Sequence, residues 1–158
     1  MLRLALSLAV LASFSLSVVA QEPPAYGPSI SLADALKVID AAKAEAAKQK
    51  WPVAIAVVDG SGHLVALQKL DNTQLASIEV ALAKAKCAAT FRRPTKAFED
   101  GLAQGGVNLR VLAVPGAVPV EGGIPLMLDG KVVGAIGVSG VKANEDGVVA
   151  QAGVAALK

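Results

Sequence analysis

His63 is the only histidine in the chain. It follows Asp59-Gly60-Ser61-Gly62, a turn sequence in which glycine accepts positive φ and aspartate bonds its own backbone. An imidazole nitrogen at this place can ligate iron. The rival reading is a solvent-facing turn residue, because a lone histidine builds no metal site without partners. Asp59 and Asp71 bracket the next strand, and turn formation is the ordinary role of both. Lys69, Asp71, Arg93 and Ser139 are candidates to face a pocket, and Gly122 and Gly123, just ahead of a later strand, complete the candidate binding set. Arg92 and Arg93 close a helical pattern, where cations suit the helix dipole. Their guanidinium forks could equally grip a ligand carboxylate. Cys87 is the only cysteine, so it has no internal disulfide partner. Its Ala-rich neighbours point to a buried small apolar residue rather than a reactive thiol.

Other chemistries lack their residues. Ser61 lies two residues from His63, but a catalytic pair needs facing side chains and an oxyanion hole. Gly122-Gly123 precedes a strand instead of opening a helix, so it is no phosphate cradle, and no CxxC or HExxH spacing occurs. The chain carries 15 Lys and Arg against 13 Asp and Glu. Its longest basic run is Arg92-Arg93, which is no electrostatic footprint for nucleic acid. The residues favour a binding protein over an enzyme.

The elements that would position these residues read clearly. Residues 1–20 fit a signal peptide: Arg3, an apolar run, then Val18-Val19-Ala20 before a cut. That predicts a periplasmic or secreted protein, with no membrane span left after cleavage. Residues 21–30 read as an extended, Pro-rich leader, and 31–158 as one domain. Ser31 with Asp34 three residues on is a helix start, and Leu32, Leu36, Ile39, Ala42 and Ala46 give an apolar stripe over 31–49. Residues 53–58 and 63–70 form a hairpin. The first arm is so apolar that both its faces must be covered. A helix rich in Ala, capped by Asn72 or Thr73, runs to about Arg92. Thr95 caps a shorter helix over 96–104, and Gly105-Gly106 ends it. Residues 109–114 are a candidate short strand. Asp129-Gly130 joins a second hairpin, 124–128 and 132–138. Gly134 and Gly137 inside it mark a bulge or a close backbone approach. A last helix spans 144–157. Adjacent hairpins with separate helices predict an α+β fold: one antiparallel sheet of about five strands with helices packed on it.

The ordered set VAIAVVDGSGHLVALQKLD, SIEVALAKAKCAATFRRPTKAF and EGGIPLMLDGKVVGAIGVSG resembles the GlcG/HbpS-type haem-binding family, related to the C-terminal domain of PduO. The resemblance covers residues 31–158, and an exported subgroup looks like this chain. It implies a profilin-like fold, homo-oligomers, and binding of haem or a related tetrapyrrole. Where many members carry Arg-Met-Asp, this chain has Lys69-Leu70-Asp71, without the Arg fork. Two other functions stand beside haem binding. One is an enzyme or accessory protein acting on a small carboxylate metabolite, held by Arg92, Arg93 and Lys69. The other is an oligomeric sensor-interaction module using the Ala-rich faces of helix 73–92 and the last helix.

Overall fold

The structure, a computed structural model, describes residues 22–157; the expected signal peptide lies outside the described residues. Ser31 opens α1 (Leu32–Gln49), its hydroxyl accepting the Asp34 N–H. Pro52 prevents further helix, and the β-branched run becomes β1 (Ala54–Asp59). The turn follows, with Asp59 Oδ1 accepting the N–H groups of Ser61 and His63 at 2.8 and 2.9 Å. It leads into β2 (Leu64–Lys69), then α2 (Ser77–Phe91) and α3 (Lys96–Ala103). A 3₁₀ segment, η1 (Gly106–Ala113), precedes β3 (Gly123–Leu128), β4 (Lys131–Ser139) and α4 (Ala143–Ala155). Asp129 and Gly130 both take positive φ, 49° and 72°, as a type I′ hairpin turn requires.

The sheet is antiparallel, in the order β2-β1-β4-β3. It has four strands, not five. The candidate strand over 109–114 is instead part of η1. Gly105 and Gly106, both at positive φ, turn the chain away from the sheet before this stretch can reach an edge.

β1 is buried on both faces, as its composition requires. Its larger side chains, Ile55 and Val57, share the core on the α1 and α4 side with Val38 and Ile39 of α1, Val149 of α4 and Ile136 of β4. Its alternate residues, Ala54, Ala56 and Val58, meet the alanines of α2. The molecule therefore has three layers: α1 and α4, the sheet, then α2. The Ala-rich face of α2 is spent on its own sheet, which removes that face as an assembly surface. The buried stripe of α1 runs through Ala35, Val38, Ile39, Ala42 and Ala46. Leu32 and Leu36 lie outside it and are exposed, contrary to the stripe expected from spacing alone.

Residues 22–30 are extended, as their prolines require, and also tied to the sheet. Past the end of β1, the edge of β4 is taken by this leader: Val132 exchanges hydrogen bonds with Ala25 and Gly27, and Ile30 is buried. The Tyr26 hydroxyl donates to the carbonyls of Ala89 and Thr90.

Candidate functional site

The candidate residues do not converge on one point. His63 projects into solvent from the β1–β2 turn, its side chain 82% exposed, with Nδ1 3.5 Å from Asp59 Oδ2. A groove of about 450 Å³ beside that turn is lined by Tyr26, Gly60, Ser61 and Thr90, without His63. Among the described residues, no group of three or more His, Cys, Asp and Glu side chains could hold a metal ion. Lys69 pairs with Ala54 at the other end of the sheet. Asp71 lines a shallow groove there with Trp51, Pro52 and Asn72. Ser139, also at that end, is buried, with its Oγ 3.3 Å from Ser77 Oγ. It packs against Ser77, the first residue of α2.

The remaining candidates do gather, at the corner where α3, the start of β3 and α4 meet. One pocket there, of about 370 Å³, is lined by Lys96, Glu121, Gly122, Gly123, Asn144 and Gln151, among others. A second, of about 290 Å³, lies between α3 and η1, with Arg93, Phe98, Leu102, Arg110, Val111 and Val114 in its wall. The segment from Arg93 to Phe98 borders both.

Thr95 holds this corner together. Expected as an N-cap, it has helical φ and ψ and makes no side-chain cap bond. Its Oγ1 instead accepts the Gly123 N–H at 2.9 Å, and its own N–H donates to the Gly123 carbonyl at 2.9 Å. The start of α3 is thus pinned to β3. The cap expected at Asn72 or Thr73 is also absent, because α2 begins later, at Ser77. The Thr73 hydroxyl donates to the Leu70 carbonyl in the preceding turn.

Behind the larger pocket lies a buried ion pair. Lys84 Nζ sits 2.8 Å from Asp146 Oδ2 and donates to the Val138 carbonyl at 3.0 Å. Asp146 Oδ1 accepts the Val141 N–H at 3.2 Å. The two side chains are 1% and 3% exposed, so α2, β4 and α4 are tied by charges that solvent does not reach. Burial pushes the Asp146 carboxyl above the usual carboxylate range, although Lys84 and the Val141 N–H pull it down. Gly122 lies against this pair. At φ 125°, a Cβ there would come within 2.9 Å of Lys84 Nζ and 2.7 Å of the Val138 carbonyl. A Cβ on Gly123 would strike the Lys84 carbonyl. The glycines are therefore fixed by packing against the pair and α2, while their open side lines the pocket.

Neither Lys84, inside the Ala-rich helix, nor Asp146, in the last helix, is among the site residues the sequence suggests. The signal for Lys84 was its spacing: Ala81, Lys84, Ala85 and Ala88 are one buried stripe. Nothing local identified its partner, 62 residues on.

The two arginines have different fates. Arg92, at φ 54°, is the left-handed C-cap of α2. Its Nη1 donates to the Pro24 carbonyl and its guanidinium lies 5.3 Å from the centre of the Tyr26 ring. It fastens the leader and does not line either pocket of the corner. Arg93 lies on the pocket side, its guanidinium 5.5 Å from the centre of the Phe98 ring. Arg110, not singled out from sequence, shares that pocket. Among the described residues neither Arg93 nor Arg110 forms an ion pair with a carboxylate.

Cys87 is buried and its Sγ accepts the Val118 N–H at 3.3 Å, as expected of a small apolar residue. Burial raises its thiol above the ordinary 9.0. A thiol reagent at pH about 8 should label less than roughly a tenth of the folded protein, and all of it in denaturant. Rapid stoichiometric labelling of the folded form would contradict this placement.

Fold and site together define a three-layer α+β domain with ligand-sized pockets at one corner. The chain belongs to the HbpS-like family, whose model, described as "Haem degrading protein HbpS-like", matches residues 30–155. It is similar to Protein GlcG of Escherichia coli strain K12, 38% identical over 102 residues, covering 65% of this chain and 75% of that protein. Among solved structures it is similar to a double mutant of HbpS from Streptomyces reticuli: TM-score 0.75, 28% identity, 96% and 99% of the two chains covered. It is equally similar to the PduOC:Heme complex, at TM-score 0.75 and 27% identity, over 82% of this chain and 96% of that one.

Proposed function

We propose that this protein binds haem or a related tetrapyrrole as an exported, self-associating protein that stores, senses or handles its ligand. The observation that carries the reading is membership of the HbpS-like family, together with likeness to a relative whose structure is a haem complex. Export is supported by the sequence pattern of residues 1–20. Self-association is supported by apolar side chains left exposed on η1, Val107 at 70%, Leu109 at 52% and Leu112 at 66%.

Haem presents a flat apolar ring, two carboxylates and an iron that takes axial donors. The pocket between α3 and η1 suits the first two, having Phe98, Leu102, Val111 and Val114 beside two guanidiniums. Among the described residues, no His, Cys, Met or Tyr lines it. When bound, haem would supply its own redox and ligand-binding chemistry, and the chain's residues would hold and orient it.

Titration of the mature protein with hemin, read by absorbance, tests the reading. The expected result is a saturable Soret shift at micromolar protein, and the absence of any such shift rejects it. His63→Ala decides the iron ligand proposed from sequence. Loss or displacement of the Soret band in that variant would support ligation, and an unchanged spectrum would end it.

A further inference from the structure

We infer that the pocket between α3 and η1 recognises a porphyrin by its carboxylate edge, with Arg93 and Arg110 as anchors, and not by its iron. This rests on the tetrapyrrole reading above and goes beyond it by assigning the place and the chemistry of recognition.

Three observations carry the inference. Arg93 and Arg110 both line this one pocket, and neither has a carboxylate partner among the described residues. A guanidinium left unpaired beside an apolar wall suits a planar anionic group, which it can grip through two parallel N–H bonds. Second, apart from Asn108 the rest of the wall is apolar, and Phe98 offers a ring already held by Phe91 edge-on at 5.2 Å and by the Arg93 guanidinium. Third, no described residue of the wall is a usual iron ligand, while His63 stands at the opposite end of the sheet from the Gly122–Gly123 corner.

Size fits an edge rather than a whole macrocycle. The pocket holds about 290 Å³, at the lower limit for small-molecule sites. Other cations are less suited. Lys96 is engaged with Asp100 at 2.7 Å, Lys84 is buried with Asp146, and Arg92 holds the leader.

The test compares three probes on the mature protein: hemin, metal-free protoporphyrin IX, and protoporphyrin IX dimethyl ester. Binding is read by absorbance for hemin and by porphyrin fluorescence for the other two. The two diacids should bind with Kd values within about threefold of each other, and the ester roughly tenfold or more weakly. Arg93→Gln and Arg110→Gln should each weaken the diacids by roughly tenfold and leave the ester unchanged. Both side chains are exposed, so the melting temperature of each variant should stay near that of the parent. Arg93→Lys should recover only part of the affinity, because it keeps the charge without the fork. Hemin binding that persists unchanged in both glutamine variants overturns the assignment and leaves the haem reading standing. So does binding of hemin without binding of the metal-free diacid, which would place the affinity in the iron. Failure of all three probes to bind removes the haem reading itself.

Discussion

Lys84→Met should lower the stability of the domain by about 3–5 kcal/mol, the cost of removing one partner from a buried ion pair. The loss arises less from the missing attraction than from the carboxylate left behind. Asp146 is 2% exposed, and without Lys84 its Oδ2 has no other hydrogen-bond donor among the described residues. A domain of this size has a net stability of only about 5–15 kcal/mol, so the change is a large share of the total. Denaturant unfolding followed by circular dichroism measures it.

The pH dependence of that deficit has a definite sign. In the parent, burial already raises Asp146 above its ordinary value of 3.8 against the pull of Lys84. Removing Lys84 removes the main opposing influence, so the folded-state value rises further. A carboxyl that binds its proton more tightly in the folded than in the unfolded chain contributes stability below its unfolded pKa. That contribution is lost as pH rises through the folded value. The deficit of Lys84→Met should therefore be smaller at pH about 4 than at pH about 7. The double variant Lys84→Met/Asp146→Leu leaves no buried charge and should recover much of the loss. A single variant as stable as the parent at neutral pH would show that the pair is not buried as described.

The residues that read well from sequence are those whose neighbours in the chain decide their conformation. Asp129-Gly130 specifies its hairpin because both residues must take positive φ. Ser31 and Asp34 specify the start of α1 because the cap bond spans three residues. The apolar run of β1 announced cover on both faces, and α1, α4 and α2 supply it. Misread stretches depend on distant partners. Residues 109–114 have strand-like composition, but a strand needs an edge, and Gly105-Gly106 lead them elsewhere. The Pro-rich leader gave no hint that β4 extends past β1 and leaves Val132 to pair with it. The site divided along the same line. Gly122, Gly123 and Arg93 were named from sequence, and each lines one of the corner's pockets. Arg110 and the Lys84–Asp146 pair were missed because only the folded chain sets them in place.

Gly137→Ala should be as damaging as loss of the ion pair, although it adds one methyl group. Gly134 and Gly137 stood out in the sequence as places where something comes close, and at Gly137 the neighbour is helix α2. Gly137 faces α2 from the central strand β4, opposite Ala56 in the register. A Cβ built on it would run into the Ala81 carbonyl and would lie 2.5 Å from the Ala85 backbone nitrogen. Both obstacles are backbone atoms of a regular helix, which no rotamer change can move aside. The helix must shift outward as a body, and it carries Lys84 toward the sheet on the same face. Overpacking of this kind costs about 3 kcal/mol or more where the neighbours cannot relax. The expected signature is a melting temperature lower by roughly 10 °C or more. Gly101→Ala is the matched control: it lies in α3 with nothing within 4 Å of the added Cβ. It should be neutral or stabilising by about 0.4–1 kcal/mol, since alanine restricts the unfolded chain. Gly137→Ala melting alongside this control would mean that α2 stands further from the sheet than its alanines suggest. The close approach that buries Lys84 behind the Gly122–Gly123 corner would then be lost as well.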